Sequence, residues 1–204
     1  MPKGHLFIIS APSGAGKTSI VKALMEYTNA LTTSISFTTR PPRTGEEDGK
    51  DYFFVNKQTF DDMQKAGDFL EYAEVFGNFY GTSKKSLIDA LDEGNDVILE
   101  IDWQGATQVR ESFPDSTSIF ILPPSRKVLL ERLKNRATDN DEVIQRRTAE
   151  AITEMSHYEA FDYLVINDDF DAALVETQSI ILSFRAKTSR QRENKVDLLN
   201  ELLA

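Results

Sequence analysis

The sequence predicts an α/β fold on a five-stranded parallel sheet with helices on both faces, and three observations carry that prediction. Five short apolar runs recur along the chain, helical periodicity fills most of the gaps between them, and the first run passes through a glycine-bearing loop directly into a helix. The runs are Leu6–Ser10, Thr33–Phe37, Val97–Ile101, Ser118–Leu122 and Tyr163–Asn167. Sandwiches and bundles do not alternate in this way, and the chain has no repeat period or low-complexity segment.

Each element has a local reason. Lys17–Tyr27 places Ile20, Val21, Leu24 and Met25 on one helical face. Ser83 and Gly94 bracket Lys84–Glu93 as N-cap and C-cap, Ser125 caps Arg126–Arg136, and a longer helix is expected over Asp141–Phe161. Thr38–Thr82 breaks the rhythm: Asp51–Val55 and Phe69–Phe76 read as strands and Gly77-Asn78 as a tight turn, so this stretch reads as an inserted lobe, with Phe53 and Phe79 packing within it. Polar residues around Arg136–Asp141, between two arginine-bearing helices, have the composition of a lid. The expected division is a core of 1–37, 83–124 and 148–204, a lobe of 38–82 and a lid of 125–147. The ending, Ser189–Ala204, carries Val196, Leu198, Leu199, Leu202 and Leu203 at roughly helical spacing, which suits packing on the body or in a homo-oligomer.

Composition narrows the function. A chain of 204 residues suits one domain with lobes. At 40% apolar and 27% charged residues it has no run near the ~18 apolar residues of a membrane span. Leu6–Ile9 is too short for the apolar stretch of a signal peptide, so the expectation is a cytoplasmic protein. The absence of cysteine removes disulfides, thiolate catalysis and sulfur-held zinc, and His5 and His157 have no catalytic constellation around them. Any metal must be held through oxygen. With 23 basic and 33 acidic residues, a net charge of -10 argues against nucleic acid as a partner. A small anion remains compatible, because backbone amides and local arginines bind it inside an acidic envelope.

The loop after the first strand is Ala11-Pro12-Ser13-Gly14-Ala15-Gly16-Lys17-Thr18. Strand, glycine loop and helix in this order are the setting of a phosphate-binding loop. Gly14 and Gly16 let successive N–H groups turn toward phosphate oxygens, and the helix from Lys17 brings its positive end to the same place. Lys17 would neutralise the β- and γ-phosphates of a triphosphate, and Thr18 would offer its hydroxyl to Mg²⁺. Ala11 stands where the first glycine of the pattern usually falls, but the Gly-Lys-Thr core is intact. Arg40 and Arg43, three apart on a proline-stiffened segment, suit a fork for one monophosphate, with Tyr52 and Tyr80 as hydroxyl donors. Glu100 and Asp102 close an apolar strand on the same side, so one of the two would reach Mg²⁺ through water.

The segment Thr38-Thr39-Arg40-Pro41-Pro42-Arg43-Thr44-Gly45-Glu46-Glu47-Asp48-Gly49-Lys50-Asp51-Tyr52-Phe53-Phe54 resembles the signature of guanylate kinases. Phe69-Leu70-Glu71-Tyr72, Gly77–Thr82 and Ile98–Asp102 extend the likeness over most of the chain, which is similar to the bacterial type. The resemblance implies a nucleoside monophosphate kinase fold, transfer of the γ-phosphoryl of ATP to GMP with Mg²⁺, and ATP and GMP (or dGMP) as the small-molecule partners. It implies ATP contacts at Ala11–Thr18 and Asn167, and GMP contacts at Ser36, Arg40, Arg43, Glu46, Tyr52, Glu71, Tyr80, Thr82 and Asp102. Arg136 and Arg147, with Arg132 and Arg146 as neighbours, match family positions that close over the ATP phosphates; Lys17, Arg40, Arg136 and Arg147 form the catalytic set. Glu71 matches the carboxylate that accepts from guanine N1–H and the 2-amino group, donors that adenine lacks. A buried carboxylate left without them loses about 1–3 kcal/mol. The rival readings are a non-catalytic binding module of the same fold, which the intact loop opposes, and a phosphotransferase with another acceptor, which the Arg40–Tyr52 signature opposes.

Overall fold

Leu6–Ser10 (β1) is apolar at nearly every position because it lies at the centre of a sheet covered on both faces. A computed structural model describes residues 3–75, 77–134, 148 and 150–204. In chain order its elements are β1, α1 (Lys17–Tyr27), β2 (Leu31–Thr33), β3 (Phe37–Thr38), β4 (Phe53–Phe54), α2 (Lys57–Ala66), β5 (Phe69–Val75), β6 (Asn78–Ser83), α3 (Lys84–Asp92), β7 (Asp96–Glu100), α4 (Trp103–Ser112), β8 (Thr117–Leu122) and α5 (Arg126–Lys134). A helical turn over 150–155 (α6) follows, then β9 (Tyr163–Ile166), α7 (Phe170–Arg185), α8 (Thr188–Asn194) and α9 (Val196–Leu203).

The core sheet has the order β2-β7-β1-β8-β9 and is parallel throughout. Alternation sorts its side chains into two layers. Phe7, Ile9, Ile98 and Ile119 pack toward Ile20, Leu24 and Ile181 of α1 and α7, while Leu6, Ile8, Val97 and Leu99 pack toward Leu87, Leu91 and Val109 of α3 and α4. Each fully buried side chain of this size contributes roughly 1.5–3 kcal/mol. The carboxyl ends of β1 and β7 therefore open on one edge, where ligands of such sheets sit.

The chain leaves this sheet between Thr33 and Phe37, so the expected strand Thr33–Phe37 is in fact two: β2 edges the core sheet and β3 enters a second one. The second sheet, ordered β4-β3-β6-β5, joins one parallel and two antiparallel pairs. Its interior is aromatic: Phe37 stacks on Phe53, and Phe60 of α2 lies against Phe69 and Phe79. The expected strand Asp51–Val55 contracts to Phe53–Phe54, because Asp48 and Glu47 draw the flanking chain into turns. Asn78 pairs with Val75 and opens β6 rather than sitting in the turn.

The helix expected to run to Phe161 stops at 155, and Tyr158–Ala160 continues as a 3-10 turn. Its expected part over 141–147 lies outside the described residues. The tail forms two helices broken at Lys195, and α9 buries none of its residues fully: Val196, Leu198, Leu202 and Leu203 stay exposed and Leu199 is partly covered. Instead α7 and α8 are tied to the amino end of β7 by charge. The buried Asp96 accepts from Arg185 Nε at 2.7 Å and from the His5 backbone N–H at 2.7 Å, with Arg190 at 3.8 Å. His5 stacks on Phe184 and hydrogen-bonds Thr117; burial lowers its pKa to about 4 against the opposing pull of Asp96, so it is a neutral packing residue. Asp96→Ala should cost about 2–3 kcal/mol, because it removes the carboxylate partner of the partly buried Arg185 and the acceptor of the buried His5 N–H, although Arg185 keeps its bonds to the Asn29 and Ala30 carbonyls. Urea denaturation of the variant beside wild type measures this as a lower midpoint at unchanged slope.

Candidate active site

The phosphate loop owes its shape to two glycines and one asparagine. Gly14 and Gly16 adopt φ of 90° and 96°, a region side chains rarely enter. The Asn167 side chain, 3% exposed, donates from Nδ2 to the Ala15 carbonyl at 2.7 Å, and its own N–H is held by the Leu122 carbonyl at 2.8 Å. A Cβ on Gly16 would lie 2.4 Å from that same Nδ2, so the position excludes any other residue twice over. Leu129 and Leu133 of α5 close the loop from behind at Gly14. Lys17 Nζ donates to the Ile101 carbonyl at 3.1 Å, and the Thr18 hydroxyl donates to Glu100 at the end of β7.

One cavity of about 260 Å³ joins this loop to the second sheet. Ala11, Pro12, Ser13, Gly14, Gly16, Lys17 and Thr18 line it on one side, and Ser36, Arg43, Tyr52, Glu71, Tyr80, Glu100 and Asp102 on the other, together with Glu154 of α6. Ala15 is buried beneath the loop, with its N–H on the Pro12 carbonyl.

The two arginines of the expected fork separate. Arg43 faces the cavity, whereas Arg40 is held beside it: its guanidinium meets Glu46 Oε1 at 2.9 Å and the Pro41 carbonyl at 2.8 Å, and lies over the rings of Tyr52 and Phe54. Glu46 also accepts from the Arg43 N–H at 2.8 Å, and its hydrogen bond from Arg40 holds its carboxyl below the ordinary range. Glu46 thus fixes Arg40. Tyr52 and Tyr80 stand edge to face at 6.0 Å, and burial raises the Tyr52 hydroxyl to about 12, keeping it a donor.

Glu71 is a buried carboxylate of the site. It is 4% exposed and accepts from the Thr82 hydroxyl at 2.6 Å, with Ser36 and Thr82 hydroxyls 3.5 Å apart behind it. Burial pushes it up to about 7; the Thr82 bond opposes this and the Asp102 carboxylate adds to it. Asp102 caps α4 by accepting from the Gly105 N–H at 2.8 Å. Gly105 is a site residue the sequence reading missed: a Cβ there would meet Glu71 Oε2 at 2.7 Å. Its only sequence signal is a glycine in the first turn of a helix. Glu154 is the second such residue; its Oε2 accepts from the Ser13 N–H at 3.1 Å, and no local pattern announced it.

Arg132 does not enter the cavity but donates to the Asn167 carbonyl at 3.0 Å. Arg136, Arg146 and Arg147, with most of the expected lid, lie outside the described residues.

A phosphate loop at the carboxyl edge of a five-stranded parallel sheet, facing a smaller sheet across a shared cleft, defines a P-loop kinase. Comparison makes the assignment narrower. The guanylate kinase family profile matches residues 3–184. The guanylate kinase of Alkalilimnicola ehrlichii is 55% identical over 98% of both chains, and that of Vibrio vulnificus is 52% identical over the whole of both. The crystal structure of the guanylate kinase from Anaplasma phagocytophilum superposes with a TM-score of 0.76 at 37% identity, covering 93% of this chain and 90% of its own. The chain belongs to the guanylate kinase family.

Gly16→Ala should lower stability by about 2 kcal/mol, from the positive φ and the displaced Asn167 amide together. The same variant should lose most affinity for magnesium ATP; urea denaturation and calorimetry read the two effects.

Proposed function

We infer that this protein transfers the γ-phosphoryl group of ATP to GMP, giving ADP and GDP, and that the residues lining the shared cavity divide between the two nucleotides. The observation that carries the division is Glu71: a buried carboxylate with no ion-pair partner among the described residues, opening on the same cavity as the phosphate loop. Guanine N1–H and the 2-amino group supply the donors Glu71 lacks, and Ser36, Thr82 and Asp102 surround the same edge. Arg43, Tyr52, Tyr80 and the pre-oriented Arg40 suit the acceptor's phosphate, where charged donors in fixed geometry bind most strongly. On the other side, the Ser13–Thr18 amides and Lys17 suit the triphosphate of ATP, with Asn167 holding the loop that presents them.

Transfer demands charge stabilisation rather than covalent help, because negative charge spreads over the moving group. Lys17 answers that need from the ATP side and Arg40 from the GMP side, with Arg136 and Arg147 proposed to complete the set. Mg²⁺ fits the donors present: the Thr18 hydroxyl and Glu100 carboxylate, bonded to each other at the strand end, are hard oxygen ligands. Glu100 is favoured over Asp102, whose Oδ1 is engaged by the helix cap. When bound with ATP, the ion would screen the triphosphate charge. Acceptance of dGMP, a cytoplasmic location and self-association through α9 belong to this same reading.

The decisive experiment is coupled ADP release with GMP, AMP, CMP and UMP as acceptors. GMP-selective release is expected; no release with any acceptor would return the binding-module reading. Lys17→Ala and Arg40→Ala should each remove most turnover, and Glu71→Gln should narrow the GMP-over-AMP preference by tenfold or more.

The pH dependence has a definite sign. Glu71 is half protonated near pH 7, and guanine requires it ionised, so the KM for GMP should fall as pH rises from about 6 to 8. The GMP phosphate itself titrates near ~6. Glu71→Gln keeps that contribution and should lose the rest, which a pH series on both proteins would resolve.

A further inference from the structure

Glu154 takes a group that the phosphate loop is built to give to an anion. The Ser13 N–H points at Glu154 Oε2 across 3.1 Å, and the carboxylate lines the same cavity as Gly16, Lys17 and Thr18. The contact is delivered by a fixed helix end rather than a loose surface chain. Ala151 and Met155 of α6 pack on Leu129 and Leu133 of α5, which themselves back the loop at Gly14. Two residues past α6, His157 lies flat on Trp103 at 3.5 Å with planes 9° apart, anchoring the segment beside the Asp102 cap. Among the described residues, the charged groups near Glu154 are Lys17, which favours its ionised form, and Asp102 and Glu150, which oppose it.

We propose that Glu154 is a tethered competitor of the nucleotide phosphates: a carboxylate of the protein's own that holds the Ser13 amide and must withdraw before a triphosphate can be seated there. A carboxylate and a phosphoryl oxygen cannot share one N–H without strong like-charge repulsion in a partly buried cavity. The carboxylate therefore weakens nucleotide binding by the free energy of the contact it gives up. It also acts on departure. After transfer the remaining diphosphate carries less charge than the triphosphate, and the carboxylate re-takes the amide against a weaker rival. Glu154 is a positioning residue, set to keep the loop ordered and the nucleotide exchangeable.

This inference rests on the reading of the loop as the ATP site, and the measurements separate the two. Isothermal titration of magnesium ATP and of ADP into wild type, Glu154→Gln and Glu154→Ala reads the competitor directly. Both variants should bind both nucleotides at least threefold more tightly, Ala more than Gln, because Gln can still accept from Ser13 while carrying no charge. In steady state the KM for ATP should fall while the KM for GMP stays within twofold, a split that a merely structural defect would not produce. Unchanged or weakened ATP binding in folded variants would overturn the proposal. Should either variant fail to fold, Glu154→Asp, with its shorter arm, should give the same sign. Failure of wild type to bind magnesium ATP at all would instead remove the ATP-site reading.

Discussion

The loop that binds phosphate is held in shape by one amide reaching across from the end of β9. Asn167 contributes its side chain to the Ala15 carbonyl and its backbone to β8, so the loop's curvature is tied to the sheet edge rather than to the loop's own few bonds. The proposed ATP contacts all depend on that anchorage. Backbone amides attract anions without adding net charge, so the proposed triphosphate site is compatible with ten excess acidic charges on the chain. Directed amides need rigid support, since a few degrees of rotation turn a cradle into an ordinary turn. Gly16, pressed against Asn167, is where the two requirements meet.

The opposite wall works by a different economy of charge. Arg40 is oriented in advance by Glu46 and stacked on aromatic rings, so little side-chain freedom remains to be lost on binding a phosphate. Glu71 is left undercompensated, raised by burial and by Asp102, and the close approach of Gly105 keeps it in place. A group held in an unfavourable environment favours whichever partner relieves it, and only a base with two adjacent donors does so fully. In the proposed reading, affinity and selectivity would thus arise from different residues, the first from the arginines and tyrosines and the second from the glutamate.

Much of this was legible in the sequence because it is local. The caps of α3 and α5 at Ser83 and Ser125, the apolar face of α1 and the runs of β1, β7, β8 and β9 each depend on a few consecutive residues, and the structure places them within a residue or two of expectation. What was not legible is non-local. The run from Thr33 to Phe37 reads as one strand in sequence, yet it serves two sheets, and only the pairing partners decide where it divides. The helices α2, α4 and α7 are an exception to this: they were not among the expected elements, yet Asn56, Asp102 and Asp169 cap them and Gly67 closes α2, signals as local as those at Ser83 and Ser125. Arg40 and Arg43 sit at fork spacing, but Glu46 claims one of them. Glu154 and Gly105 matter only through residues 141 and 34 positions away, a relation no pattern along the chain can express.

The excursion that forms the second sheet begins and ends at adjoining points. Ser36 and Thr82 touch through their hydroxyls at 3.5 Å although 46 residues separate them, and α3 starts immediately after. It is further attached by Leu70, buried in the core layer with Leu87 and Val109, and by the pair of hydrogen bonds between Gln108 of α4 and the backbone of Tyr72. A segment whose ends already coincide closes its own loop, so lengthening, shortening or exchanging it leaves the spacing of the host strands untouched. In the proposed reading, the residues that choose the phosphate acceptor would thereby sit mostly on one excursion of the chain, while those that hold the donor would stay with the core sheet.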